Sequence, residues 1–317
     1  MKILLTGATG FIGSHVLRRG LSENYEIIIA KRSNSNTKRI KDVLDNVKCY
    51  DVDTMPLSKI FDENKIDLVI HCATNYKKNH NYEDIPSLIE DNITFPSQIL
   101  EQMQIHNVKY FINTGSFFEY ALSTSSDSPR KKINEMQKKE PYDFYAATKS
   151  GFSEILKWYS KNCGIKVIEL RLFSAYGPGD NEKLFNFLIK NFINQKKFEM
   201  CPCEQQWNWT FVEDIADAYI CSIKYITNMK SDYECFNIGN EKTASIKELI
   251  KIIEKISGKN NLVSYTKPYV EKEIFYVNCN SKKAQKEFGW KAKYNVKKGI
   301  KITYDWLKEE IKNERPN

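Results

Sequence analysis

The amino-acid sequence predicts an α/β fold, with a doubly wound parallel sheet and a smaller, mixed C-terminal domain. Apolar runs of strand length alternate with segments of helical periodicity. The runs are continuously apolar, as strands buried on both faces of a sheet require. After about residue 173 this alternation ends and the chain becomes more helical, which marks the second domain.

The predicted elements follow one another at the spacing of strand–helix–strand units. Each strand is a short, mostly apolar run, and each helix repeats apolar residues every three or four positions. The predicted strands are Lys2–Thr6, Glu26–Ala30, Val47–Tyr50, Leu68–His71, Val108–Ile112 and Lys166–Leu170. The predicted helices between them are Phe11–Leu21, Leu57–Asn64, Ser87–Gln104 and Phe144–Ser160. In the C-terminal part, Ser245 and Glu248 form a capping box that predicts another helix start.

Composition excludes several classes of protein. With 41% hydrophobic and 28% charged residues, the 317-residue chain is typical of soluble globular proteins, and no apolar run approaches the length of a membrane span. The N-terminus has no cleavage site and the eight cysteines are scattered, so we expect reduced thiols and a cytoplasmic protein without a metal site. The net charge of +8 favours an anionic ligand such as a nucleotide. The basic residues are spread out, which argues against nucleic acid.

A glycine-rich turn follows the first strand and opens the first helix. Its glycines are Gly7, Gly10 and Gly13. Glycines let the turn tighten and let backbone N–H groups approach a pyrophosphate at the helix N-terminus. The turn predicts a Rossmann-type dinucleotide site.

The end of the second strand indicates which dinucleotide binds. Enzymes that select NAD place an acidic residue there, against the adenosine ribose. This chain has Lys31, Arg32 and Ser33 instead. Two cations and a hydroxyl attract a 2′-phosphate, which favours NADP(H) over NAD(H). The alternative is that these cations end a strand and point to solvent.

A tyrosine and a lysine four residues apart form the candidate catalytic pair. Tyr145 and Lys149 share one face of a predicted helix. A nearby ammonium favours the phenolate and lowers the pKa of a tyrosine, which then exchanges a proton with a carbonyl or alcohol oxygen.

The glycine spacing and the Tyr145–Lys149 pair together resemble the extended short-chain dehydrogenase/reductase superfamily, in its nucleotide-sugar epimerase, dehydratase and reductase branch. Segments 170–180, 207–218, 236–249 and 286–290 are similar to later family features. The resemblance implies a nicotinamide cofactor, a nucleotide-sugar substrate and a homodimer formed through two helices per subunit. It also implies a nucleotide-binding domain over residues 1–173, to which 209–240 return, and a mainly substrate-binding domain over 174–317.

The resemblance assigns the remaining site residues. A serine or threonine after the fifth strand should hold the substrate oxygen; we favour Ser116 for this role, and Thr114 is the alternative. Lys149 should also hold the nicotinamide ribose. The other implied cofactor residues are Thr9, Phe11, Ile12, Asp51, Val52, Cys72, Ala73, Thr74, Asn92, Thr114, Leu172 and Phe173.

The chain departs from the family where the substrate binds. Trp207 and Val270 stand where arginines usually hold the diphosphate, which leaves Lys267 and Lys272 as candidate replacements. A guanidinium fork is not equivalent to a lysine. Trp207 and Trp209 either stack on a base or belong to the core. The predicted substrate residues are Thr74, Phe117, Phe118, Ser174, Trp207, Lys267 and Lys272, with Ser174 replacing the usual asparagine.

The residues after Ser116 indicate the reaction. In 4,6-dehydratases, uronate decarboxylases and 3,5-epimerase/reductases of the resembled family, an acidic residue or a cysteine follows the catalytic residue and moves a second proton. Here Phe117 and Phe118 occupy those positions, and Glu119 comes one place too late. The two rings suit the methyl group of a 6-deoxy sugar or pack as part of the cavity wall.

The sequence therefore predicts NADPH-dependent reduction of a dTDP-, CDP- or GDP-linked 4-keto-6-deoxy sugar. One alternative is a nucleotide-sugar 4-epimerase with tightly bound NAD. Two alternatives come from other classes: a non-catalytic NADP sensor or scaffold, and an RNA-binding relative.

Overall fold

A computed structural model of the protein describes residues 1–127, 130–181 and 183–314. The strands are β1 Lys2–Thr6, β2 Glu26–Lys31, β3 Lys48–Asp51, β4 Leu68–His71, β5 Tyr110–Ser116, β6 Lys166–Leu172, β7 Ala175–Tyr176, β8 Phe198–Glu199, β9 Gln206–Trp207, β10 Thr210–Phe211, β11 Tyr233–Ile238, β12 Ala244–Ser245 and β13 Val263–Ser264. The helices are α1 Phe11–Ser22, α2 Leu57–Glu63, α3 Ile85–Ile89, α4 Phe95–Ile105, α5 Phe144–Cys163, α6 Leu184–Ile193, α7 Val212–Ile226, α8 Ile246–Ser257, α9 Lys282–Phe288 and α10 Val296–Glu314. A π-helical turn, Glu90–Thr94, joins α3 to α4.

The centre of the molecule is a parallel sheet of seven strands in the order β11-β6-β5-β4-β1-β2-β3. Each neighbouring pair runs parallel. One face packs on α1 and α7, and the other packs on α4 and α5. The predicted doubly wound α/β class is confirmed. The strand order reverses between β1 and β4, and ligands bind at such switch points, beyond the carboxyl ends of the strands.

The chain crosses back to the sheet after residue 207. Strand β11 pairs with β6 along its full length, and α7 packs against α1. Helices α6, α8 and α10 pack on one another around a separate apolar cluster. This second cluster includes Leu188, Leu249, Ile253, Ile300 and Leu307. The two packing units meet beside the carboxyl ends of the strands, where the cavity described below opens.

Two predicted elements differ from the observed ones. The predicted strand Val108–Ile112 continues as β5 through Ser116, because β5 pairs with β6 up to the Ser116–Leu172 register. The predicted helix Ser87–Gln104 is interrupted by the π turn, which contains the buried Asn92. Ser245 caps α8 with the predicted capping box. Within the described residues, no helix has the length and apolar character needed to cross a bilayer.

Candidate active site

A cavity of about 1130 Å³ lies at the carboxyl edge of the sheet. Each strand around the switch point contributes to its lining through the residues at its carboxyl end or just after it. These residues are Gly10 after β1, Arg32 after β2, Thr74 after β4, Ser116 at the end of β5 and Ser174 after β6. The sheet topology therefore brings segments distant in sequence to one place.

The glycine turn forms the phosphate end of this cavity. Gly7 has a φ of +71°, and a Cβ there would lie 2.4 Å from the Ala73 nitrogen. A Cβ on Gly13 would lie 2.1 Å from the Gly7 carbonyl oxygen, too close for any side chain. Gly10 precedes α1 without a side-chain cap. The bare backbone and the uncapped helix N-terminus fit the pyrophosphate of a dinucleotide.

Tyr145 and Lys149 lie on one face of α5, where Tyr145 lines the cavity and Lys149 is almost completely buried. Tyr145 lines the cavity and forms a side-chain hydrogen bond with Thr74. Lys149 is 2% exposed, and its ammonium makes no hydrogen bond with any described residue. A buried ammonium without a protein partner indicates a missing hydrogen-bond acceptor, which a cofactor hydroxyl can supply.

The lowering of the Tyr145 pKa by Lys149 stays a prediction, and burial is the main influence on this pKa. Burial raises the pKa of Tyr145, and the Thr74 hydrogen bond acts in the opposite direction. Burial lowers the pKa of Lys149, opposed by the charges of Glu119 and Glu169. The phenol is therefore protonated at neutral pH, the state of a proton donor.

Ser116 and Thr114 differ in how their hydroxyls are engaged. Thr114 Oγ1 donates to the His71 carbonyl at 2.7 Å and lies 2.6 Å from the Tyr219 hydroxyl. Ser116 Oγ accepts from the Phe118 N–H at 3.2 Å, and among the described residues nothing accepts its own proton. Only Ser116 keeps a donor available for a substrate oxygen, as its predicted role requires.

Phe117 and Phe118 line the cavity directly beside Ser116, with ring centroids 4.2 Å apart. Trp207 packs against both rings and donates its indole N–H to the Ile274 carbonyl. Glu119 is fully buried and is not among the lining residues, because its carboxylate accepts from the Ser116 N–H. These three rings form an aromatic surface beside Ser116, and none of them exchanges protons near neutral pH.

The end of β2 carries two cations that line the cavity, Lys31 and Arg32. The guanidinium of Arg32 pairs with Asp91, which also lines the cavity. Ser33 donates to the Asp51 carboxylate at 2.7 Å, and neither residue lines the cavity. Their role in cofactor binding stays a prediction.

Other predicted residues also lie outside the lining. Asn92 holds Thr74 and the Asn75 backbone in place, so it supports the lining from behind. Phe173 stacks behind Phe117, with centroids 5.3 Å apart. Lys149 is almost completely buried. The predicted diphosphate residues Lys267 and Lys272 do not line the cavity; the Lys272 carbonyl instead accepts from the Tyr142 hydroxyl.

The lining residues that were not predicted from the sequence include Lys183, Tyr76 and Asp143. Lys183 immediately precedes α6, and its ammonium lies 5.6 Å from the centre of the Tyr76 ring. Tyr76 in turn contacts Tyr145 edge-on at 4.9 Å. Asp143 caps α5 through one carboxylate oxygen and leaves the other, buried oxygen without a partner among the described residues. A capping residue two places before Tyr145 is a signal that could have identified Asp143.

Comparison with known proteins identifies the family of this chain. Residues 3–239 match the NAD dependent epimerase/dehydratase family. The chain belongs to this family. The match confirms the predicted resemblance to nucleotide-sugar short-chain dehydrogenases/reductases.

Named relatives span nearly the whole chain. CDP-abequose synthase of Salmonella muenchen is 27% identical over 303 residues, covering 95% of this chain and 96% of the relative. A putative UDP-glucose 4-epimerase of Methanocaldococcus jannaschii is 28% identical, covering 96% and 98%. The solved structure of UDP-glucuronic acid 4-epimerase from Bacillus cereus, in complex with UDP-glucuronic acid and NAD, is 25% identical with a TM-score of 0.83 and covers 98% and 100%. The protein is therefore an enzyme of the epimerase/dehydratase family.

Proposed function

We propose that the protein reduces the 4-keto group of a nucleotide-linked 4-keto-6-deoxy sugar with NADPH. The observation that carries this proposal is the pair of rings beside Ser116. Phe117 and Phe118 line the cavity where other branches of the family carry a second proton-transfer group, and Glu119 is turned into the core. With Ser116 and Tyr145 lining the cavity beside these rings, the site supports carbonyl reduction, which needs one hydride and one proton.

The chain's own residues fit a nicotinamide dinucleotide. Gly7, Gly10 and Gly13 leave room for the pyrophosphate, and the unpartnered ammonium of Lys149 suits the nicotinamide ribose. Lys31 and Arg32 suit a 2′-phosphate, which favours NADP(H). When bound, the reduced nicotinamide supplies the hydride for the carbonyl carbon.

The catalytic residues act on the carbonyl oxygen. The Ser116 hydroxyl donates a hydrogen bond to that oxygen and orients it. Tyr145, kept protonated by burial, transfers its proton to the oxygen as the carbon becomes tetrahedral. The aromatic surface of Phe117, Phe118 and Trp207 excludes water and contacts the C6 methyl group. In the overall reaction, the ketone, NADPH and one proton are converted to the secondary alcohol and NADP⁺.

A named relative supports the sugar class. The similarity to CDP-abequose synthase fits a role in deoxysugar biosynthesis on a nucleotide carrier. The experiment that tests the proposal mixes the protein with NADPH and with dTDP- or CDP-4-keto-6-deoxyglucose and follows the NADPH absorbance band. We expect loss of the band with at least one of these sugars. No loss with any of them contradicts the reductase activity.

The second candidate function is nucleotide-sugar 4-epimerisation. It is favoured by the epimerase relatives and by the NAD complex of the Bacillus cereus enzyme. An epimerase should copurify with tightly held NAD and interconvert its substrates without added cofactor. A reductase should release exchangeable NADP. A non-catalytic sensor would bind NADP and show neither activity.

Lys183 is the cation we assign to the substrate diphosphate, because it lines the cavity at the start of α6 and the predicted lysines do not. Lys183→Ala should raise KM for the nucleotide sugar about tenfold, since it removes one exposed, charge-assisted hydrogen bond. The kcat should stay nearly constant. Steady-state kinetics at low ionic strength measures both constants.

The matched control is Lys196→Ala, which removes an exposed lysine beyond the other end of α6. This variant should leave KM unchanged. If Lys183→Ala also leaves KM unchanged, the diphosphate is held elsewhere and the assignment is wrong.

A further inference from the structure

The carboxylate of Glu119 belongs to a group of four charged residues and one serine that contact one another. We call Glu119, Lys139, Ser153, Glu169 and Arg171 the buried ion cluster. Four of the five are almost completely buried, and Lys139 is partly buried. Charged groups are expensive to bury, so such a cluster directly under catalytic residues requires an explanation.

Glu119 connects the cluster to Ser116. Its Oε1 accepts from the Ser116 N–H at 2.8 Å, and the Ser116 hydroxyl accepts from the Phe118 N–H at 3.2 Å. Together these bonds form a capping box around a single 3₁₀ turn, Phe117–Glu119. The orientation of the Ser116 hydroxyl therefore depends on where the Glu119 carboxylate is held.

The other carboxylate oxygen of Glu119 pairs with Lys139 and lies close to Ser153 and Arg171. Its Oε2 lies 3.1 Å from Lys139 Nζ, 3.3 Å from Ser153 Oγ and 3.5 Å from Arg171 Nε. Arg171 is itself held by Glu169 at 2.8 Å and donates to the Tyr120 hydroxyl at 2.8 Å. These contacts leave Glu119 little freedom to rotate.

Ser153 connects the same cluster to the catalytic helix. Tyr145, Lys149 and Ser153 follow one another at four-residue spacing along α5 and therefore share one face. Ser153 donates to Glu169 Oε2 at 2.6 Å, next to the Glu119 carboxylate. The cluster thus joins the end of β5, which carries Ser116, to the helix that carries the other two catalytic residues.

We propose that Glu119 is a positioning residue that holds the Ser116 hydroxyl in register with Tyr145 and Lys149. It acts through the Ser116 backbone and does not touch the substrate. The proposal rests on the proposed function, in which Ser116 orients the carbonyl oxygen. A purely structural ion pair would instead affect folding stability and leave the chemistry of the folded enzyme unchanged.

Two substitutions separate these roles. Glu119→Gln keeps an oxygen that accepts from the Ser116 N–H, whereas Glu119→Ala removes the acceptor. We expect Glu119→Ala to lower kcat about 100-fold with KM nearly unchanged, because misplacement of a reacting group by about 1 Å has that effect. Glu119→Gln should restore kcat to within about fivefold of wild type. Glu140→Ala, which removes an exposed carboxylate paired with Lys138, is the matched control.

Steady-state kinetics on the substrate that wild type turns over gives these constants, and a melting curve checks folding. If Glu119→Ala does not fold, Glu119→Asp takes its place, since its shorter side chain withdraws the acceptor and should lower kcat about tenfold. Normal kcat in a folded Ala or Asp variant, with only the melting temperature lowered, overturns the proposal.

A measurement without substrate keeps this test separate from the proposed function. Hydrogen exchange of a peptide covering residues 113–122 should be faster in Glu119→Ala than in wild type and close to wild type in Glu119→Gln. Equal exchange in all three proteins overturns the positioning role even if the reaction is different. Failure of the wild-type protein to oxidise NADPH contradicts the proposed reductase reaction and leaves the positioning role of Glu119 to the exchange measurement.

Discussion

Replacing Tyr145 with phenylalanine is expected to lower kcat by about 10²–10⁴-fold, the usual contribution of a positioned acid–base group. The substitution removes only the hydroxyl, so the ring still packs against Tyr76 and lines the cavity. NADPH affinity should therefore stay within a few-fold of wild type. Stopped-flow measurement of NADPH oxidation and fluorescence titration of NADPH binding give the two quantities.

Tyr110→Phe is the matched control, because Tyr110 begins β5 at the opposite edge of the sheet. It should behave as wild type in both measurements. A Tyr145→Phe protein that keeps most of its kcat would mean that another group delivers the proton. Tyr76 would then be the first residue to test, since it is the nearest other phenol at the centre of the cavity.

The second large effect concerns the choice of cofactor. The Lys31→Ala, Arg32→Ala double variant should lose about 100-fold in NADPH affinity, since each charge-assisted hydrogen bond to a phosphate contributes about 1.5–3 kcal/mol. Lys31 should contribute more than Arg32, because Arg32 is already paired with Asp91. NADH affinity should change little, because NADH has no 2′-phosphate. Titration with both cofactors measures the difference.

Lys65→Ala serves as the control for loss of a positive charge, since Lys65 is exposed and does not line the cavity. Equal losses of NADPH and NADH affinity in the double variant would show that these cations do not bind the 2′-phosphate. Tighter binding of NAD than NADP by wild type would favour the epimerase alternative.

The sheet and the positions around it were predictable because they depend on local patterns. Continuous apolar strands, a glycine turn between β1 and α1, and a four-residue spacing on α5 each appear directly in the sequence. The Ser116–Glu119 capping box was also present in the sequence. It has the same form as the Ser245–Glu248 box that predicts α8, with Phe117 and Phe118 between its serine and its glutamate.

Other features depend on burial and on contacts between distant segments, which a sequence does not display. The raised pKa of Tyr145 comes mainly from burial, which depends on several segments that pack around its ring. Lys267 and Lys272, the predicted diphosphate residues, do not line the cavity, and the reason is similar. The sequence does not distinguish Lys267 from Lys183 as a cavity residue. Lys183 lines the cavity because α6 packs beside the sheet.

The glycine turn has a mechanical consequence. At Gly7 the backbone of the β1 loop lies against the backbone of the β4 loop at Ala73, without room for a single methyl group between them. Thr6 fastens the same two loops through bonds to the Cys72 and Ala73 N–H groups. Neither loop can shift without displacing the other. We therefore expect a displacement of the first loop to reach Thr74, which follows Ala73 and lines the cavity.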